Sequence, residues 1–197
     1  MLNGPVEQLA PSLLGAVVRA GPVAIRLTEV EAYAGADDAG SHAFRGQTPR
    51  NAVMFGPAGR AYVYFTYGMH WCLNVVTGPA GEPAAVLLRA GEVISGLDLA
   101  RTRRPGSSDR DLARGPARMT KTLGVDGRCN GLDLIASTSE LVLEPAHAAA
   151  SDVRIGPRVG VAGAGAARPW RFWLDGEPTV STYRPAVTRS RTTGATT

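Results

Sequence analysis

The chain has 197 residues, 44% of them hydrophobic, with a formal net charge of +4 and a pI near 9.5. That content suffices for a buried core, and the length fits one domain, with two small ones as the alternative. No apolar run is long enough for a membrane-spanning helix, and the mild basicity suits nucleic acid or another polyanion without establishing either.

Between residues 6 and 18, Leu9, Leu13, Leu14 and Val17 recur at helical spacing, interrupted by Pro11. Proline is tolerated only in a first turn, so a helix is expected from near Ala10, passing into a strand at 16–19. A Gly21-Pro22 turn then leads into a strand in which Ile25, Leu27, Glu29, Glu31 and Tyr33 alternate with Arg26, Thr28, Val30 and Ala32. A period of two puts Glu31 and Tyr33 on one face with Leu27 behind them. A carboxylate beside a ring, on a face that is apolar upstream, is poorly solvated. That favours a raised pKa and general-base duty. The plainer alternative is a solvated glutamate at a strand end, because exposed Glu is the norm.

Residues 35–59 form a polar stretch rich in Gly and Pro, without periodicity; a loop this long is usually functional. It holds His42, Arg45, Thr48, Arg50 and Asn51. A lone loop histidine is more often a surface residue, whereas Arg45, Thr48 and Arg50 suit hydrogen bonds to phosphates. The turn at 56–59 is not a phosphate loop, since it leads into a strand and lacks a lysine.

A hairpin follows. Tyr62, Tyr64 and Thr66 face one way and Val63, Phe65 and Tyr67 the other, with the turn at 67–70 and the return arm at 71–76. Gly68 supplies the positive φ that a tight turn needs. Tyr67 and Met69 flank that turn, where a large side chain has nothing of its own sheet to pack on. An exposed aromatic there needs a partner: a neighbouring loop, or a base stack into which it wedges.

Residues 84–88 read as a strand buried on both faces, ending in Arg89. A buried Arg seldom lacks a carboxylate, and Glu31 is the expected partner. Helices are expected at 94–103 and 116–123, the second with Pro116 in its first turn and Gly124 just past its end. Arg118 and Lys121 share a face of that helix, which is either a solvated basic surface or a phosphate contact. The stretch 101–128 holds eight Arg or Lys against three Asp, a larger excess than the whole chain carries. Further strands are expected at 132–135, 141–143, 158–162 and 170–174, with a flexible turn at 163–167. Residues 1–186 read as a single domain and the Thr/Arg/Ser-rich 187–197 as a disordered tail. Cys72 and Cys129 match no metal spacing and are too few for a disulfide framework, so both are expected reduced. With no signal peptide and no apolar span at the N-terminus, the expected location is cytoplasmic.

Taken together these motifs resemble a known family. Thr28-Glu-Val-Glu-Ala-Tyr33, a His nine residues later, Gln47-Thr-Pro-Arg-Asn51, Met54-Phe55, Tyr62-Val-Tyr-x-x-Tyr-Gly-Met-x-x-Cys-x-Asn74 and Val86-Leu-Leu-Arg89 are similar to the alkyladenine (3-methyladenine) DNA glycosylases. Gly115-Pro116, Arg158-Val-Gly-Val161 and Arg168-Pro-Trp-Arg-Phe172 continue the likeness, which runs from Leu9 to Thr182. Each motif alone is weak; the ordered set is specific. The loop between His42 and Thr48 is one residue shorter than the family pattern, leaving the role of Arg45 open. His70 stands where an aromatic is usual.

The resemblance implies an α+β fold: one compact domain, a curved, mainly antiparallel, open-barrel-like sheet, surrounding helices and a protruding β-hairpin. It implies hydrolysis of the bond between a damaged purine and its deoxyribose, with the nucleotide first extruded from double-stranded DNA. Tyr67 would take the vacated place, with Met69 beside it. Tyr33, His42 and Tyr64 would sandwich the base, favouring electron-poor alkylated purines. The His42 main-chain amide would donate to the purine edge, and Asn74 would crowd a guanine 2-amino group. Glu31 would deprotonate a water held by Arg89 and the Val159 carbonyl, and stabilise an oxocarbenium-like transition state. Thr48, Arg50, Arg118 and Lys121 would contact phosphates. The only lysine, Lys121, lies away from these residues, so a Schiff-base lyase is not expected; nor is a metal or cofactor. A monomer is expected. Glu29, two residues from Glu31, keeps open a paired-carboxylate sugar hydrolase. A non-catalytic nucleic-acid-binding module and a nucleoside or small-glycoside hydrolase are the other rivals.

Overall fold

A computed structural model of the chain describes residues 2–186. The tail expected to be disordered, 187–197, lies outside the described residues. In chain order the elements are α1 (Val6–Leu9), β1 (Val17–Ala20), β2 (Val23–Tyr33), β3 (Ala61–Thr66), β4 (His70–Thr77), β5 (Ala84–Ser95), α2 (Leu97–Arg103), α3 (Pro116–Leu123), β6 (Leu141–Glu144), β7 (Val153–Gly156) and β8 (Arg171–Leu174). The eight strands form one sheet in the order β3-β4-β5-β2-β1-β6, with β8 joining β2 to β7. Every pairing is antiparallel, and the sheet does not close into a barrel, so the α+β expectation holds.

The sheet is organised on β2. One edge pairs along its length with β5; the other pairs with β1 at residues 23–26 and with β8 at 29–31. The change of partner coincides with an irregularity. Thr28 of β2 and Arg89 of β5 are both skipped in the register, between Leu27↔Gly91 and Val30↔Leu88. A bulge reverses which residues face which side. Ile25 and Leu27 point into the main core before it, and Val30 and Ala32 point there after it. Leu27 therefore does not stand behind Glu31, as strict alternation predicts. Glu29, Glu31 and Tyr33 occupy the opposite face. On that face lie also Leu87 and Arg89 of β5, Cys72 and Asn74 of β4, and Tyr62 and Tyr64 of β3, while Val86, Leu88, Leu73, Val75, Ala61 and Val63 fill the core.

Several expected boundaries move. The first helix begins at Val6, and Pro11 sits in the first turn of a 3-10 segment, Ala10–Leu13, that follows it. Proline lacks the N–H that would continue the α-helical ladder. β5 runs to Ser95, so residues 94 and 95 are strand and α2 starts only at Leu97. The extension is held by Val93 opposite Ile25 and an Arg26–Glu92 ion pair. Gly91 permits it, since a Cβ there would lie 2.3 Å from the Arg26 carbonyl oxygen. Gly96, with φ 70°, then turns the chain into α2. Residues 132–135 are not a strand: they make one bridge, Arg60↔Asp133, and the Asp133 carboxylate accepts from the Ile135 and Ala136 amides, curling the segment. Residues 158–162 are not a strand either, because Gly160 has φ 72° and the neighbouring amide serves the cavity described below. The strand in this region is β7, at 153–156, which the sequence reading misses. The turn at 163–167 contains a 3-10 segment, Gly163–Gly165.

Pro116 and Gly124 bracket α3 as expected, with Gly124 at φ 75°. The β3–β4 hairpin pairs Thr66 with His70 across three loop residues; Tyr67 (φ 50°) and Gly68 (φ 67°) both take the positive φ that matches strand twist. No helix among the described residues is long and apolar enough to cross a membrane.

Candidate active site

The sheet face opposite the core is the floor of a cavity of about 350 Å³. Glu31, Tyr33, His42, Tyr64, Asn74, Arg89 and Val159 all line it, so the structure brings together every residue expected to act in catalysis or hold a base. Tyr67 reaches its rim. Residues 39–42 and 159–162 wall it, and Pro116, opening α3, closes one side.

Glu31 has no exposed surface. The solvated reading of this carboxylate is therefore wrong. Two donors hold it: the Val159 main-chain N–H at 2.7 Å to Oε1 and the Tyr33 hydroxyl at 2.9 Å to Oε2. Arg89 stands 3.5 Å from Oε1. Burial pushes the Glu31 carboxyl above its ordinary range, and the Arg89 charge and the two donors only partly offset it. Val159 thus meets Glu31 through its main-chain N–H, a contact additional to the water-holding role expected of its carbonyl. Burial, and then the neighbouring Glu31, push the Tyr33 phenol well up, so it remains a donor at neutral pH.

Arg89 corrects a second expectation. Its closest carboxylate is Glu29, at 2.9 Å, and not Glu31. Glu29 is itself wholly buried and accepts further bonds from Arg171 Nε at 2.6 Å and from the Ser181 main-chain N–H and hydroxyl at 2.7 and 3.0 Å. With its lone pairs so engaged and no place in the cavity lining, Glu29 cannot serve as the second carboxylate of a paired-acid sugar hydrolase.

The rings come from three elements. Tyr62 and Tyr64, two residues apart on β3, lie with centroids 5.3 Å apart, and the His42 ring meets Tyr64 edge-on at 4.5 Å. His42 Nδ1 bonds the Tyr62 hydroxyl at 2.9 Å. Burial and the nearby Arg50 charge lower the His42 pKa, which keeps the imidazole neutral. Asn51 fixes the loop by donating to the carbonyls of His42 and Gly46, while the His42 main-chain N–H has no partner among the described residues. Asn74 donates to the Tyr62 carbonyl at 2.9 Å, which orients its amide on the floor.

Of the remaining expected residues, Tyr67 touches the cavity at its rim, while Met69, Thr48, Arg50, Arg118 and Lys121 lie outside its lining. Met69 and Tyr67 stand on the hairpin tip, 66% and 84% exposed. Arg50 reaches the Phe65 carbonyl at 2.9 Å and lies 5.8 Å from the Tyr64 ring, pinning the loop to the hairpin. Thr48 is exposed, its main-chain N–H bonded to Asn51. Arg118 and Lys121 are exposed on α3. The basic excess of 101–128 is locally offset: Asp111 meets Arg110, Arg114 and Arg118, Asp109 meets Arg101, and Asp126 meets Arg128.

One supporting pair escaped the sequence reading. Arg158 and Asp38, both without exposed side-chain surface, form a two-pronged ion pair. Arg158 also donates to the carbonyls of Ala32 and Gly165 and lies 4.5 Å from the Tyr33 ring and 5.4 Å from that of Trp170. The Arg158-Val159 step was visible as a motif, but nothing singled out Asp38. Tyr62 and Cys72 also line the cavity, and their alternation with core positions along β3 and β4 is the sequence signal for it. Among the described residues no group of three or more His, Cys, Asp or Glu could hold a metal ion.

Comparison with known proteins bears on this site. A family model described as "Methylpurine-DNA glycosylase (MPG)" matches residues 1–178. A Streptomyces avermitilis protein named "Putative 3-methyladenine DNA glycosylase" is 53% identical over 196 residues, covering 96% of this chain and 92% of that one. Proteins of the same name from Leifsonia xyli and Burkholderia cenocepacia are 55% and 45% identical, over 90% and 94% of this chain and 87% and 90% of theirs.

Proposed function

The chain belongs to the methylpurine-DNA glycosylase family, and from that premise we propose that it excises alkylated purines by base flipping, with Glu31 as general base. It is a DNA-3-methyladenine glycosylase, a DNA-repair hydrolase of N-glycosyl bonds. The observation that carries the finer reading is a fully buried carboxylate on the floor of a ring-lined cavity, held by two donors and faced by an arginine. About 350 Å³ is enough room for a single extruded base.

The geometry supports the following sequence. Tyr67 enters the stack and the damaged nucleotide turns into the cavity, where it meets Tyr33, His42 and Tyr64. An alkylated purine carries positive charge, and electron-rich rings favour it over a normal base. Hypoxanthine and ethenoadenine, which lack that charge, are admitted as further substrates by planar stacking on the same rings. The free His42 amide donates to the purine edge, and Asn74 crowds a 2-amino group. Glu31 takes the proton from a water aimed at the anomeric carbon, with Arg89 and the Val159 carbonyl as its other partners. Its negative charge then stabilises the oxocarbenium-like transition state. The glycosidic bond breaks, the free base leaves, and the hydroxyl adds to the sugar to leave an abasic site. Double-stranded DNA is the partner, and the chain acts as a monomer.

The test is incubation of the protein with alkylated duplex DNA and identification of the freed base. Glu31→Gln keeps the shape and removes the base, so release should fall by about 10²-fold or more while lesion binding persists. Because Glu31 must be ionised and its pKa is raised, wild-type activity should fall on the acid side at a pH above the ordinary carboxylate range. Near wild-type turnover by Glu31→Gln defeats the assignment. Binding without base release points to a non-catalytic module. Equal activity on nucleosides, with no duplex present, points to a small-glycoside hydrolase.

A further inference from the structure

Behind the cavity floor lies a second carboxylate that the proposed chemistry does not use. Glu29 has no exposed surface and accepts four hydrogen bonds, from Arg89 Nε, Arg171 Nε, and the Ser181 main-chain N–H and hydroxyl. Two of its donors belong to Ser181, beyond the residues matched by the family model. A structural account alone leaves the geometry of Arg89 unexplained. Its Nε proton, which can point only one way, is directed at Glu29 at 2.9 Å, and Glu31 receives the same nitrogen at 3.5 Å. The arginine that faces the reacting carboxylate is thus bonded to a different one.

We propose that Glu29 is a positioning residue: it anchors Arg89 and withholds that guanidinium from full pairing with Glu31, so that Glu31 remains a strong base. A general base bonded directly to a buried guanidinium would be a poor proton acceptor, because the opposite charge favours its ionised form. Yet in the proposed reaction Arg89, on the cavity floor, is also one of the partners that hold the water. Placing a second carboxylate beside it meets both demands. Glu29 and Glu31, two residues apart on β2, share a face, and the irregularity in β5 makes the arrangement possible, because Arg89 is skipped in the register and lies between them.

The charged and titratable groups around Glu31 are few. Glu29 and Tyr33 flank it on β2, Arg89 faces it from β5, and Arg171 lies opposite in the β8 register. Tyr64 and Cys72 approach from β3 and β4, and Arg158 precedes the Val159 amide. Burial raises the Glu31 pKa most, Arg89 opposes it, and the Glu29 charge adds to the rise. Loss of Glu29 removes a repulsion and frees Arg89 to close on Glu31. Both effects lower the proton affinity of Glu31. The variant should stay ionised to lower pH and catalyse more slowly.

The inference rests on Glu31 being the general base, and the experiment separates the two claims. Single-turnover release of 3-methyladenine from alkylated duplex is measured across pH for wild type, Glu31→Gln, Glu29→Gln and the double variant Glu29→Gln/Arg171→Met. The double variant removes one buried carboxylate and one buried guanidinium together, so it leaves no excess charge and covers the case in which Glu29→Gln fails to fold. Circular dichroism establishes the folded fraction of each. The expected result is a plateau rate lowered by up to about tenfold, with the acid limb moved down by about one pH unit, in the folded Glu29 variants. An unmoved limb, with or without a lower rate, overturns the proposal, because loss of packing alone does not shift the ionisation that limits the rate. If Glu31→Gln is inert while the limb stays fixed, only the role of Glu29 fails. If Glu31→Gln turns over normally, the general-base reading fails and this inference falls with it.

Discussion

Arg158 is among the largest fully buried side chains of the described residues, and its surroundings explain how a surface loop can aim one amide at Glu31. Asp38 takes both ends of the guanidinium, the carbonyls of Ala32 and Gly165 take more, and the rings of Tyr33 and Trp170 lie close to it. Gly40 is required here, because a Cβ would lie 2.6 Å from Nη2 of Arg158. The clamp fixes Arg158, and the next residue's N–H then reaches Glu31. Burial alone would raise the Asp38 pKa, but the Arg158 bonds and charge, with the amides of Gly40 and Ala34, bring it below the ordinary value. A depressed carboxyl contributes stability that is present above its unfolded pKa and lost as pH falls through the folded one. Asp38→Asn leaves the guanidinium buried without its counter-charge, and should cost about 3–5 kcal/mol by denaturant unfolding at neutral pH. The gap between variant and wild type should narrow once the pH drops below the ordinary Asp range; a gap that is constant down to strong acid would contradict the role given to the ionised pair. Nothing in the sequence pointed to Asp38, because its partner lies 120 residues away and a loop has no periodicity from which a contact can be read.

At the level of elements, local rules succeeded where the local chain decides the outcome. The hairpin was legible because Gly68 and the flanking alternation fix the turn and the faces without help from elsewhere. The helix from Pro116 was legible for the same reason, having a proline at one end and a glycine at the other. β2 was only half legible. Its bulge depends on what β5 does at Arg89, so alternation carried across Thr28 gave the wrong face for Leu27. The pairing of Glu31 with Tyr33 survived because both lie beyond the bulge, two residues apart. The hairpin also yields a clean test, since Tyr67 is 84% exposed and contributes little to the fold. Tyr67→Ala should leave the unfolding free energy within about 0.5 kcal/mol of wild type. If the tip fills the vacated stack, excision should fall most for lesions that pair well, such as hypoxanthine opposite thymine, and least for unpaired ones. Equal loss on paired and unpaired substrates would count against a wedge.

For the whole molecule, charge was the coarsest signal and the one that structure refined most. The sequence shows a basic excess in 101–128, but not that folding sets Asp109, Asp111 and Asp126 against five of its arginines. Such pairing within a folded segment depends on side-chain placement, which no linear count contains. What remains free is more informative than the total. Lys121 is exposed and has no ion-pair partner among the described residues, whereas Arg118 shares Asp111 with two other arginines. Both lie on the helix whose first residue, Pro116, borders the cavity. Of the two, the lysine offers the unshared charge to a backbone phosphate flanking an extruded nucleotide. Each phosphate neutralised releases counterions, so the logarithm of affinity falls linearly with the logarithm of salt concentration. Lys121→Ala should reduce that slope by about one and weaken binding to lesion-bearing and undamaged duplex alike. Arg118→Ala should change the slope less, because part of its charge already serves Asp111. A slope unaltered by Lys121→Ala would place α3 away from the duplex, and the phosphate contacts would then have to be sought around Thr48 and Arg50, on the loop that Asn51 holds against His42.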